Sequence, residues 1–402
     1  MGANAASRRW LITGVSTGLG RALMAAAQGG CVAKEDETMA TSRDYGLGEF
    51  DYPRGWMMVA AADWLTATPI EARVFGEDVV LYRGASGRPV MLDAYCPHMG
   101  AHLAVGPTGA TALHCVQTEG DSIRCPNHGW KFGPDGQCTE IPYSRITIPK
   151  AMGIRSWQVQ EWAGCIFAWH DPEGGAPTYE LPALPEWADP RWMRWTIAEV
   201  PEMAVHQLEL AEHGVDKIHN ANVHGHDRLV GHRVTFDGHR AQTDSTSVMM
   251  VDGAESAPFT VSSRYTGPAL LLAYSDGPRP LIFFFAHTPT EDGKVCGFHG
   301  TMMRAVGDAP DEEDVRAHAE ISAISLYQFN QDMEIFKRKR PTLKVVQIPG
   351  DGPFRRYRQW YSQFYAPRAR TEAIQAAANG VIETEGQYDA PWIGRDGDDQ
   401  LR

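Results

Sequence analysis

Two short segments, Ala94-Tyr-Cys-Pro-His-Met-Gly and Arg124-Cys-Pro-Asn-His-Gly-Trp, restrict this chain more than anything else in it. They place Cys96-x-His98 and Cys125-x-x-His128 on what read as two tight β loops. Two thiolates and two imidazoles hold either one tetrahedral zinc ion or a two-iron, two-sulfide cluster in which cysteines bind one iron and histidines the other. Each pair runs Cys then His, and Pro97, Gly100, Pro126 and Gly129 flank them, so the backbone is free to wrap around inorganic sulfides. His128-Gly129-Trp130 also argues for the cluster over a zinc ribbon, or over cysteines and histidines merely packed in a β core.

The surrounding sequence fits such a loop-bearing domain. From Arg54 to about 172, short apolar runs such as "EDVVLYRG" and "GCIFAWH" are broken at intervals by Gly, Pro and Asp, which reads as a small antiparallel β domain. A Pro/Gly-rich stretch, "HDPEGGAPTYELPALPEW" (170–187), reads as a linker. Beyond it come strand-like "WMRWTIAEV", a helical pattern over "PEMAVHQLELAEHGVDKIHN", a strand-rich middle from about 232 to 303, and a helix over "DEEDVRAHAEISAISLYQFNQDMEIFKRK". The expectation is an α+β chain in three parts: a leader (1–38), an all-β domain (39–172), and a domain of curved antiparallel sheet plus helices (173–402) with a C-terminal helical extension.

Charge and cysteine usage exclude several functions. A net charge of −13 would be repelled by nucleic acid or an anionic membrane, so neither is expected as a partner. No apolar run reaches the roughly 18 residues of a membrane-spanning helix. The apolar stretch after Arg8-Arg9 is interrupted too soon for a secretory signal, and an odd cysteine count of seven favours metal binding over disulfides, so a cytoplasmic protein is expected.

At the level of motif, the Cys/His pairs resemble the Rieske [2Fe-2S] proteins, an identity that implies Cys96, His98, Cys125 and His128 as cluster ligands. Ala101 and Asn127 stand where the respiratory-complex type carries an extra cysteine in each loop, so the likeness is to the oxygenase or ferredoxin type. The 26 residues between the pairs (99–124) exceed the family spacing, and Cys115 within them reads as a loop cysteine.

A ferredoxin would end near residue 170, whereas this chain continues through "HGVDKIHNANVHGH". Asp216, His219 and His224 there offer a carboxylate and two imidazoles, the kit of the two-histidine, one-carboxylate iron centres that activate O2. Asp216 and His219 are expected on one helix face, with the helix ending or distorting near Asn220 to Asn222 so that His224 can turn inward. The pattern resembles the Rieske non-haem iron oxygenases. That resemblance implies His219 and His224 as ligands of a mononuclear Fe(II), and Asp216 as the bridge to a cluster histidine of the neighbouring subunit in a homotrimer. The third ligand is expected from "QDMEIF", where Asp332 is preferred over Glu334.

Together with "AYCPHMGAHL" and "GCIFAWHDPEG", the stretch "GDGPFRRYRQWYSQFY" (350–365) is similar to the 3-ketosteroid 9α-hydroxylase oxygenase subunits and to sterol-desaturating Rieske enzymes, a likeness running from about Gly55 to Tyr365. It implies a terminal oxygenase that takes O2 and a small apolar, steroid-like substrate, fed by a ferredoxin-type reductase component through which alone NADH enters. "PALLLAY" and "PLIFFFAH" then read as strands whose inner face makes an apolar pocket. Rival readings remain open at this point: an electron-transfer or metal-sensing protein, an NAD(P) dehydrogenase, and, within the oxygenases, O-demethylation or desaturation.

The dehydrogenase reading rests on "WLITGVSTGLGRAL" (10–23), whose Thr13-Gly14, Gly18 and Gly20 resemble a short-chain dehydrogenase glycine loop. A single β-turn-α unit cannot bury its own apolar face, and no Tyr-x-x-x-Lys pair occurs in the chain. Deleting residues 1–38 is therefore expected to leave turnover and iron per chain unchanged, measured side by side with the full chain.

Overall fold

The computed structural model describes residues 39–105, 118–224, 228–248, 250–251, 254–277, 279–384 and 388–389. The glycine loop of residues 10–23, the leader that carries it, and Cys115 lie outside them.

The first part is antiparallel throughout. β1 (Gly55–Ala61) pairs with β10 (Cys165–His170), which pairs with β9 (Val159–Trp162). β2 (Ile70–Val74), β3 (Glu77–Arg83) and β4 (Pro89–Asp93) form a second sheet. A third joins β5 (Thr118–Glu119), β6 (Ser122–Arg124), β7 (Lys131–Phe132) and β8 (Cys138–Glu140). Val80, Tyr82, Leu92, Ile123 and Phe132 form one core beneath the two Cys/His loops.

The second part is a curved antiparallel sheet grasped by a long helix. Its strands run β11 (Trp192–Met193), β20 (Lys294–Arg304), β19 (Leu281–Glu291), β18 (Leu270–Ser275), β17 (Phe259–Thr266), β14 (Arg240–Val248), β13 (Arg228–Asp237) and β21 (Gly380–Glu383). β12 (Ala198–Met203) adds to β20 and β22 (Tyr388–Asp389) to β13, while β15 (Met250–Val251) and β16 (Ala254–Glu255) make a separate ribbon. The continuous apolar runs of β18 and β19 are explained by burial on both faces. Leu270, Leu272, Phe284, Phe298 and Met302 pack against Trp56, Met58, Phe167 and Trp169 of the first part. Their alternates, Leu271, Ala273, Phe283 and Phe285, face a cavity.

The helical pattern over 201–220 is broken three times rather than continuous. Pro201 to Met203 close β12, α1 covers only Gln207–Glu212, a 3-10 turn spans His213–Val215, and α2 covers His219–Asn222. Asp216 itself is extended (φ −79°, ψ 109°), so Asp216 and His219 do not share a helix face as expected. The cause is local: the Asp216 carboxylate accepts the backbone N–H of Ile218 (3.0 Å) and His219 (3.4 Å), a side-chain bond that competes with helix continuation. α2 does end at Asn222, as expected from the poor helix formers there.

Helix α3 (Glu312–Phe336) starts at Asp311, whose side chain accepts the Asp314 N–H in a capping box. C-terminal α4 (Phe354–Tyr361) drives Tyr357, Trp360 and Tyr361 into a core shared with Leu208, Ala211 and Val215, the segment that carries the candidate site. Gly352 sits so close to this segment that a β-carbon would lie 1.8 Å from the Val215 carbonyl oxygen. α5 (Arg368–Ala378) follows.

The stretch read as a linker is packed into both parts. Tyr179 stacks on His239 and its hydroxyl accepts the Trp56 N–H, while Asp171, 1% exposed at its side chain, pairs with Arg54 and Arg368. Removing one member of a buried ion pair strands its partner at a cost of about 3–5 kcal/mol. Asp171→Ala is expected to lower unfolding stability by that order, read as a fall in the denaturant midpoint.

Candidate metal centres

The two Cys/His loops are built alike. In the first, Cys96 N–H donates to the Ala101 carbonyl (2.9 Å) and Gly100 N–H to the Cys96 carbonyl (2.9 Å). In the second, Cys125 N–H donates to the Trp130 carbonyl (2.8 Å) and Gly129 N–H to the Cys125 carbonyl (3.0 Å). Both turns close through a left-handed glycine, Gly100 at φ +72° and Gly129 at φ +76°, a conformation that other residues adopt only with strain.

The donors sort by type. The Cys96 and Cys125 side chains interact with one another, which pushes Cys96 up and Cys125 down. The imidazoles of His98 and His128 sit edge to face with centroids 4.7 Å apart, and His98 stacks on Trp130. Among the described residues, no three of the four donors lie within 4.8 Å of one another, as a single tetrahedral ion would need. A thiol pair and an imidazole pair, with Nδ1 of His98 buried and without a hydrogen-bond partner, suit a two-iron cluster instead.

The second centre assembles from two elements. The turn after Asp216 supplies His219 and His224, and α3 supplies Asp332 from across the cavity; the donor atoms of these three lie within 4.8 Å. His224 Nε2 is 3.2 Å from Asp332 Oδ2. Nδ1 of His219, Nδ1 of His224 and Oδ1 of Asp332 are buried without hydrogen-bond partners, a condition native proteins rarely leave unexplained. A bound cation would satisfy it, so the residues fit a mononuclear metal. Glu334 is turned away, exposed and paired with Lys337 and Arg338.

Burial opposes ionisation of Asp332, yet the imidazoles of His213 and His224 beside it outweigh that and hold the carboxyl well below its ordinary value. Asp216 is likewise opposed by burial but held down to about 2 by the nearby imidazoles of His219 and His213. His219 is pushed down by burial and by His213.

His213 was not anticipated as a site residue. Its ring stacks 3.7 Å from that of His219, its Nε2 lies 3.4 Å from Asp332 Oδ1, and with Asp216 and His219 it makes a second group of donors within 4.8 Å. Its only trace in the sequence is its place three residues before Asp216 in a histidine-rich run.

These groups open onto one cavity of about 250 Å³. Phe283 and Phe285 of β19 and Phe329 of α3 form one wall, and Thr243, Ser245, Ser247 and Ser263 of β14 and β17 another.

The comparisons with known proteins follow this geometry. The Rieske [2Fe-2S] domain matches residues 55–151 and the 3-ketosteroid 9alpha-hydroxylase C-terminal domain matches residues 168–365. A 3-ketosteroid-9-alpha-monooxygenase oxygenase component of Rhodococcus rhodochrous is 31% identical over 340 residues, covering 80% of this chain and 86% of that protein. The chain belongs to the 3-ketosteroid 9α-hydroxylase family of Rieske oxygenases. Cholesterol 7-desaturase nvd of Bombyx mori is also 31% identical over 340 residues, 78% of this chain and 70% of that protein. Among solved structures, dicamba monooxygenase bound to dicamba superposes with a TM-score of 0.64 at 18% identity, over 82% of this chain and all of the other, a likeness of fold. As a family member the chain is an oxidoreductase, and its N-terminal part is a Rieske [2Fe-2S] domain. No helix among the described residues is long and apolar enough to cross a membrane.

Cys125→Ser is expected to abolish the visible absorption and the reduced-state paramagnetic signal of the cluster, while the far-ultraviolet spectrum stays that of a folded β-rich protein.

Proposed function

We propose that this Rieske oxygenase is the terminal component of a steroid monooxygenase. Cys96 and Cys125 would hold one iron of the cluster and His98 and His128 the other, while His219, His224 and Asp332 would hold a mononuclear Fe(II). When bound, the two centres supply electrons and O2 activation. The observation that carries this reading is the convergence of His219, His224 and Asp332 on a mostly apolar cavity, in a chain that also bears a Rieske domain. A pure electron carrier has no use for such a cavity.

The protein's own contribution is orientation and exclusion of water. Helix α3 aims Asp332 at the two histidines, and His213 steadies its second oxygen. The Asp216 carboxylate holds the 216–219 turn through two backbone N–H groups. Its side chain is 30% exposed, and in a homotrimer it would be suited to meet a cluster histidine of the neighbour. Phe283, Phe285 and Phe329 offer a ring-shaped apolar substrate a flat contact. Reducing equivalents would arrive from NADH through a separate ferredoxin-type reductase, consistent with relatives named as oxygenase components. Desaturation of a sterol is the second reading, favoured by the equal identity to the silkworm desaturase.

Reductase-supported O2 uptake, screened over steroids, sterols and methoxy-aromatics with product analysis, tests the reading. Steroid-dependent uptake with a hydroxylated product is expected; uptake only with methoxy-aromatics would overturn it. Asp332→Ala is expected to lose the mononuclear iron yet keep the cluster signal, whereas Glu334→Gln keeps both, as read by iron per chain and paramagnetic resonance. Asp216→Asn is expected to retain both metals and to cut turnover at least a hundredfold, measured as O2 uptake with reductase and steroid.

A further inference from the structure

Trp130 belongs to one Cys/His loop and covers a candidate ligand of the other. Its carbonyl accepts the Cys125 N–H and so closes the second loop. Its indole lies flat on the His98 imidazole of the first, with centroids 4.8 Å and planes 11° apart, an offset-stacked geometry. His128 has no such cover: its ring contact among the described residues is the edge of His98. The two imidazoles therefore sit in different surroundings.

The indole is itself held. Its Nε1–H donates to the Tyr143 hydroxyl at 2.8 Å. Tyr143 is 62% exposed and Trp130 only 7%, so a surface phenol is bonded to a buried ring. The turn that carries Tyr143, closed by the Ser144 N–H on the Ile141 carbonyl, is seated on the second loop, where a β-carbon on Gly129 would lie 3.0 Å from Pro142 Cγ. Arg124 fixes the same loop, donating to the Gly129 carbonyl at 2.6 Å while paired with Glu119 and Glu140. The first loop has less support. Pro97, Met99 and Gly100 around His98 are exposed, and no hydrogen bond among the described residues holds the His98 ring. A ligating histidine ordinarily has its plane fixed by a hydrogen bond at its second nitrogen. Here the flat contact with Trp130 takes that place.

We infer that Trp130, pinned by Tyr143, is a positioning residue that sets the plane of the His98 imidazole and holds the cluster at a low reduction potential. This rests on the cluster-ligand reading above and adds to it. Two ferric ions, two sulfides and two thiolates sum to no net charge, so the reduced form is the charged one. A ring that keeps water off the ligand disfavours that charge, and the electron-rich face of the indole acts in the same direction. An electron stored at low potential passes on more readily.

The test is a spectroelectrochemical titration of the holoenzyme at one fixed pH, beside the paramagnetic spectrum of the reduced protein, iron per chain and melting temperature, none of which needs turnover. Trp130→Leu is expected to shift the reduction equilibrium about tenfold toward the reduced form, about 59 mV upward for one electron, and to change the spread of g values. Tyr143→Phe, at an exposed position, is expected to move the equilibrium the same way by about threefold, the scale of one hydrogen bond, with iron content and melting temperature unchanged. Trp130→Phe restores a flat ring and is expected to reverse most of the Trp130→Leu shift. An unshifted or lowered potential in Tyr143→Phe overturns the proposal, as does a Trp130→Leu shift that Trp130→Phe leaves in full. If Trp130→Leu fails to assemble a cluster, the Tyr143→Phe potential alone decides. A wild-type chain without the reduced-cluster signal overturns the cluster-ligand reading instead.

Discussion

The structure depends on three strands, β18, β19 and β20, being covered on both sides. Their outer residues form one core with β1 and β10, and their inner residues form a wall of the cavity. Through this shared apolar core the doubly used sheet ties the cluster-bearing part to the catalytic part. It sets β1 and β10 of the first part on one face of a single slab and the cavity of His219, His224 and Asp332 on the other. A packing defect among Leu272, Phe284 and Phe298 would disturb the pocket through the strands themselves.

On that slab the site concentrates polar groups at depth. Asp332 is 8% exposed as a residue, and three histidines crowd within hydrogen-bond or stacking distance of it or of one another. Such a cluster is expensive to desolvate, and its imidazole–carboxylate contacts recover part of that cost. The aromatic cluster around Tyr357, Trp360 and Tyr361, with Gly352 beneath Val215, braces the 213–219 segment from behind. The C-terminal third is thus a buttress for the site as well as a termination of the fold.

Much of this was legible because the decisive residues are close together in sequence. Cys96, His98, Cys125 and His128 sit on local turns whose glycines announce them, and β18, β19 and α3 follow from unbroken apolar or periodic runs. Asp332 was recoverable through its neighbours in "QDMEIF", and Glu334 is set aside by its exposure. Other features were hidden for physical reasons. The interruption at Asp216 comes from one side chain capping the backbone ahead of it, which a periodicity of 3.6 does not register. The packed segment 170–187 looks like a tether because Pro and Gly report on backbone shape, not on what Asp171 and Tyr179 touch.

The broken backbone at Asp216 has a consequence for traffic through the molecule. An unbroken helix would have pointed Asp216 and His219 the same way, so that whatever approached one had to pass the other. With the chain snapped into an extended residue between two short turns, the carboxylate and the imidazole still border one cavity, the first 30% exposed and the second 15%. A bulky guest seated in the cavity would therefore lie against both side chains.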